Sequence, residues 1–352
     1  MPLRELDGVV GAPWARPLAG ALDQIVVESD VLADNPLGDP ARRPLYVYRP
    51  PGVDVDHPRP LPTVYIIQGF TGQLDMWLSR SAFEPTMIER VDAMFAARAC
   101  PDAILVFVDA WTSRGGSQFI NSASIGRYLD YLCDEVVAFV DGRYPTISGR
   151  DHRGLAGKSS GGYGAMVVPM LRPDVFGALA SHAGDALFEC CYQPEFRNAA
   201  RSLRDDFEGS YEVFFERLAA ADHFEYSRHG VLFETYGYAC AYSPDLNRPG
   251  AALLPFDTST GRLNDDIWAL WLEHDPVRMA HHHADALRSM HRIYLDAGKG
   301  DEYYLDLGAQ AFARELSKIG AAHTLELFDG KHGGITYRYP GAIRELVTAL
   351  QA

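Results

Sequence analysis

Two nearly uninterrupted apolar runs, TVYIIQG and AILVFVDA (103–110), flank the stretch SAFEPTMIERVDAMFAARA, where Phe83, Met87, Val91 and Met94 recur at helical spacing. A strand that is apolar at every position has no face to offer water, so both sides of its sheet must be covered. Helices on both faces of a mostly parallel sheet satisfy that demand. The rest of the chain keeps the alternation. QIVVESD and RPLYVYRPP predict early strands at 24–30 and 43–49, and IGRYLDYLCDEVVAFVDGRYP predicts a long helix with Leu129, Leu132, Val136, Val137 and Val140 on its apolar side. RGLAG, VFGALASHAG, 291–298 and 323–330 read as further strands. GGYGAMVVPML, AQAFARELSKIG (closed by Gly320) and AIRELVTAL read as helices.

Between Asp185 and about Met290 the rhythm breaks. NAARSLRDDFEGSYEVFFERLAAA predicts one or two helices, YACAYSPDLNRPGAALLPFDTSTG a loop and DIWALWLEHDP a short helix. A crossover this long exceeds what a sheet needs and is expected to be a lid over the carboxyl edge of the strands. The chain therefore divides into an extension 1–20, a core 21–184, a lid or cap insertion 185–290 and the rest of the core, 291–352.

Composition bounds the function. Of 352 residues, 47% are hydrophobic and 22% charged, enough to bury a substantial core. Asp and Glu number 47 against 32 Lys and Arg, a formal charge of −15, which tells against a nucleic-acid binder. The five cysteines show no C-x-x-C, and Cys190-Cys191 are expected to be small buried apolar residues. No apolar run reaches the length of about 18 residues that a membrane span requires. The N-terminus lacks an evident secretory signal, so a cytoplasmic location is expected. The oligomeric state stays open, a homodimer being one option.

The chemistry centres on Gly157-Lys-Ser-Ser-Gly161, between the RGLAG strand and the GGYGAMVVPML helix. A tight strand–helix junction lifts Ser159 above the sheet edge, with glycines where strand and helix nearly touch. A nucleotide-binding loop is the rival, but the order G-x-x-x-x-G-K-[ST] is absent, and Lys158 is expected to point to the outside of the turn. A serine nucleophile needs a base, and the base needs a carboxylate. In this fold they follow in the order Ser, acid, His. His332, in LFDGKHGG after the last strand, is the expected base. Asp301, beyond the Gly298–Gly300 turn, is the expected acid; Asp296 belongs to the strand end, and Glu302 and Asp306 are expected to point elsewhere. The amides of Phe70, in QGFTGQ, and Ser160 are expected to form the oxyanion hole.

Trp111, His182, Trp268 and Trp271 are candidates for the substrate pocket, each with a packing role as the alternative. His281-His282-His283 lacks metal-ligand spacing and is expected on the surface or the lid. No metal and no cofactor are implied.

The segments YIIQGFTG, GRYLDYLCDEVVAFVD, GLAGKSSGGYGAM, YLDAGKGDEYYLD and FDGKHGG resemble the putative-esterase family of α/β-hydrolases, over about residues 40–345. That family takes in S-formylglutathione hydrolase (esterase D), feruloyl and enterochelin esterases and mycolyltransferases. The resemblance implies an α/β-hydrolase fold, a small-molecule ester substrate, nucleophile Ser159, acid Asp301, base His332 and oxyanion amides Phe70 and Ser160. The loops QGFTG and GKSSGG depart from the SGLTC and GHSMGG of S-formylglutathione hydrolases, which tells against a glutathione thioester. An acyltransferase or thioesterase with the same triad, and a noncatalytic binding protein on this fold, remain the alternatives.

Overall fold

The computed structural model describes residues 16–53 and 59–351. Most of the 1–20 extension and part of the Pro-rich loop after residue 50 thus lie outside the described residues. Eight strands form one sheet: β1 (Ala21–Glu28), β2 (Arg42–Arg49), β3 (Thr63–Ile67), β4 (Ile104–Val108), β5 (Arg153–Lys158), β6 (Ala178–His182), β7 (Arg292–Gly298) and β8 (Thr324–Phe328). Their order is β1-β2-β4-β3-β5-β6-β7-β8. The β1–β2 and β2–β4 pairs are antiparallel, and every pair from β4 to β8 is parallel. This is the mostly parallel sheet expected from the apolar runs, in the α/β-hydrolase arrangement that the family resemblance implies. The first strand begins earlier than its β-branched stretch, because Ala21 to Asp23 are recruited by pairing with Arg49 to Val47.

The ten main helices are α1 (Met87–Ala96), α2 (128–143), α3 (Ser160–Leu171), α4 (Gln193–Asp206), α5 (Tyr211–Ala220), α6 (Tyr226–Tyr242), α7 (Asp265–Leu272), α8 (Pro276–His282), α9 (Leu305–Ile319) and α10 (Tyr339–Leu350). Alternation along the strands sorts their packing. Val64, Ile66, Leu105 and Phe107 meet α1 and α10 on one face. Tyr65, Ile67, Val106 and Val108 meet α2 and α3 on the other. The middle of α2 is a π-helical stretch, Tyr131–Val136.

Two expectations are corrected. Phe83 precedes α1 and is 92% exposed; Thr86 and Glu89 form a capping box that starts the helix after Pro85. Residues 238–242, expected in a loop, end the 17-residue helix α6. Gly230, Gly237 and aromatic residues on several sides of α6 blur its periodicity, and tertiary packing decides its form. His281 and His282 close α8, and both are exposed, as a surface position requires. Among the described residues no cluster of His, Cys, Asp or Glu could hold a metal ion, and no helix is long and apolar enough to cross a membrane.

Segment 185–290 is not a detached layer. Its Phe188, Phe196, Leu232 and Trp271 join Tyr163 and Met166 of α3 and Phe312 of α9 in one apolar cluster.

Candidate active site

The parallel strands all end on one edge, and four of those ends meet there. Ser159 follows β5 directly and holds φ 58° and ψ −128°, a conformation that L residues rarely adopt. The turn closes that tightly because Gly157 and Gly161 lack side chains. A Cβ on Gly157 would stand 2.3 Å from the Gly161 carbonyl oxygen, and one on Gly161 2.5 Å from the Ile67 carbonyl oxygen. The strain lifts Ser159 to the N-terminus of α3, where the first amides have no partner inside the helix.

Asp301 and His332 arrive on two loops zipped together beyond β7 and β8. The Lys299 amide donates to Phe328 O, and the Gly300 amide to Gly330 O, each at 2.9 Å. These bonds extend the β7–β8 pairing and set Asp301 against His332, with Asp301 Oδ2 2.9 Å from His332 Nδ1. The other carboxylate oxygen of Asp301 accepts the Tyr303 amide at 2.9 Å. Tyr303 also sets its ring edge-on to the imidazole, with centroids 4.9 Å apart. Asp301 is buried, while His332 reaches the cavity. Glu302, expected to point elsewhere, accepts the His332 backbone N–H at 3.0 Å and pairs with Lys331 at 3.2 Å. The His332 amide donates to the Glu302 carboxyl, and with the Lys331 ammonium this holds it down at about 2.

Ser159 and His332 both line a cavity of about 350 Å³. Phe70, after β3, lines it too, and the Phe70 amide donates to no acceptor among the described residues. Its ring packs on Tyr238 at 4.7 Å and on Phe233 at 6.0 Å, which fixes the loop. Ser160 is buried, and its Oγ donates to Asp185 at 2.9 Å. Asp185 also accepts from Tyr192 at 2.7 Å and from Gln118 at 3.4 Å; burial pushes its carboxyl up.

Segment 185–290 contributes Asp185, Glu195, Phe196, Tyr226, Glu234 and Tyr238 to the cavity wall. The four aromatic and histidine candidates for the pocket lie elsewhere. Trp111 sits in a two-residue ribbon, where its carbonyl accepts from Arg43. His182 is wholly buried at the end of β6, its Nδ1 2.7 Å from Asp296. Trp271 is wholly buried and donates to Ser243 Oγ at 2.9 Å, and Trp268 packs beside it with centroids 6.0 Å apart. Lys158, expected to point outward, lines the cavity; burial lowers its ammonium pKa against the raising pull of Asp301. Cys191 is buried and reaches the cavity wall, whereas Cys190 is half-buried.

Sequence reasoning missed Glu234 and its neighbours, although a signal was present. Tyr226, Gly230, Glu234, Tyr238 and Tyr242 recur every four residues and make one row along α6.

A family model described as "Putative esterase" matches residues 40–338. Among solved structures, a ferulic acid esterase has a TM-score of 0.58 at 17% identity, over 95% of this chain and 99% of that one. An S-formylglutathione hydrolase from Staphylococcus aureus has a TM-score of 0.54 at 16% identity, over 95% and 99%. One from Agrobacterium tumefaciens also has 0.54, at 14% identity, over 96% and 97%. Identities this low carry the fold alone. No curated protein matches the chain.

Proposed function

This chain belongs to the putative esterase family and is a hydrolase acting on esters; we propose that it works through a Ser159–His332–Asp301 triad and an acyl-enzyme. The observation that carries this reading is the 2.9 Å contact of Asp301 with His332, which lines the same cavity as the strained Ser159. His332 takes the Ser159 proton as Oγ attacks the ester carbonyl, and Asp301 steadies the imidazolium that forms. Among the described residues Ser159 Oγ makes no hydrogen bond to His332; catalytic hydrogen bonds of this kind commonly tighten only when substrate is bound. The Phe70 and Ser160 amides face the charge that develops on the carbonyl oxygen. His332 returns the proton to the leaving alcohol, and water repeats the sequence on the acyl group.

A short-chain chromogenic ester and a serine-reactive phosphonate test the reading. Turnover, together with a phosphonate adduct on Ser159 that blocks it, is the expected result. Folded protein that turns over no ester and takes no adduct on Ser159 overturns it.

A further inference from the structure

The cavity carries a charge pattern that ester cleavage alone does not use. Asp185, Glu195 and Glu234 all line it. Among the described residues none of the three has an ion-pair partner; every donor to them is neutral. Asp185 accepts from Ser160, Tyr192 and Gln118. Glu195 Oε2 accepts from Asn198 at 3.0 Å, and Glu234 Oε1 accepts from the Tyr226 hydroxyl. Among the described residues Glu234 Oε2 accepts no hydrogen bond. Glu234 is half-buried and lines the cavity. Burial, with repulsion from Asp185 and Glu195, pushes its carboxyl up to about 7. Carboxylates taken out of water without a counter-charge are costly, and a bound cation would relieve that cost.

Aromatic rings complete the pattern. Tyr226, Tyr238 and Tyr303 line the same space, and the negative faces of such rings attract cations. Lys158 is the one Lys or Arg among the described lining residues; its ammonium is drawn first to Asp301 and next to Asp185, which leaves Glu195 and Glu234 without a cation beside them. The cavity is thus lined by carboxyl groups and aromatic rings on its α4–α6 side, where the part of the ester beyond the reacting carbonyl would sit. The formal charge of −15 favours approach of a cation as well.

We propose that this cavity selects esters carrying a fixed positive charge, an ammonium or quaternary ammonium group seated between Glu195, Glu234 and the rings of Tyr226, Tyr238 and Tyr303. The inference rests on the ester-hydrolase reading of the same cavity.

The test compares the choline ester of a short-chain acid with its 3,3-dimethylbutyl ester, which has the same shape and no charge. The expected kcat/KM ratio is about tenfold or more in favour of the choline ester, since one desolvated cation site contributes that much discrimination. Glu234→Gln lowers the ratio, with Glu195→Gln as the second variant should the first not fold. Tetramethylammonium chloride inhibits hydrolysis of the neutral ester competitively, and sodium chloride at equal ionic strength does not. A ratio of one or below, a ratio unchanged in both variants, or equal effects of the two salts overturns the proposal. So does preference for a hemisuccinate ester, which would assign recognition to Lys158. If folded protein hydrolyses neither ester, the hydrolase reading fails instead. Calorimetric titration with tetramethylammonium then decides the cation site by itself: saturable heat supports it, and none overturns it.

Discussion

Glu302 and His332 are joined through the backbone: the His332 N–H donates to Glu302 Oε2 at 3.0 Å, while the neighbouring Asp301 receives the His332 ring at 2.9 Å. Two adjacent acids thus hold one histidine, one by its main chain and one by its imidazole. Glu302 is a positioning residue in this arrangement. Glu302→Ala is expected to lower kcat about tenfold to a hundredfold with little change in KM, because a small misplacement of the base is costly. Lys331→Ala, which loses only the exposed pair with Glu302, is expected to stay near wild type. Steady-state kinetics on both variants check this; equal losses in the two would remove the role assigned to the backbone bond.

Asp301→Asn is expected to leave folding nearly intact and to lower kcat by on the order of a thousand- to ten-thousand-fold, through loss of the carboxylate that orients the imidazole. Asp296 serves as the contrast. It is buried between His182 at 2.7 Å and Arg338 at 2.9 Å. Burial pushes its carboxyl up, but His182 and Arg338 outweigh burial and hold it below its ordinary range. Asp296→Ala leaves the His182 ring and Arg338 Nε without their acceptor, although Arg338 keeps Glu326, and is expected to cost about 3 kcal/mol of stability, with turnover per folded molecule retained. Denaturant unfolding alongside kinetics separates the two; a turnover loss at Asp296 with none at Asp301 would reverse the assignment.

Trp271 is wholly buried, within 5.4 Å, centroid to centroid, of Phe196 and of Tyr242. Trp271→Ala is expected to cost about 3–5 kcal/mol and to leave the ranking of ester substrates unchanged. A panel varying acyl length and alcohol, run beside thermal melts, checks this. A reordered ranking with an unchanged melting temperature would return Trp271 to the pocket.

The sheet and the places of Ser159, Asp301 and His332 along its edge were legible for a common reason. Each candidate stands where an apolar run meets a glycine-containing turn, as at β5–Ser159, Gly298–Asp301 and β8–His332. Local sequence marks such a place without help from the rest of the chain. The cavity wall was not legible in the same way. Trp268 and Trp271 share one side of α7, but aromatic spacing alone does not say whether that side meets a core or a ligand. His182 and Lys158 are cross-strand partners at the ends of β6 and β5, yet the first is sealed under Tyr339 and the second opens into the cavity. The difference lies in what α10 covers, which no local pattern encodes.

Glu234 gives the last prediction, which concerns pH. Its carboxyl stands at about 7 in the folded protein against an ordinary 4.5, raised by burial and by Asp185 and Glu195, while the Tyr226 hydroxyl pulls the other way. The folded state therefore holds this proton more tightly than the unfolded chain does. Its stability contribution is fully present below about 4.5 and is lost as pH rises through about 7. The loss is on the order of 3 kcal/mol at most. Glu234→Gln keeps the neutral shape and cannot ionise. It is expected to gain on wild type as pH rises from 5 to 8, which melting curves across that range would show. A bound cation favours the ionised form, so tetramethylammonium binding near pH 7 should release protons, and heats measured in buffers of different ionisation enthalpy would reveal them. A stability difference that stays flat with pH would show that Glu234 is already ionised in the empty cavity.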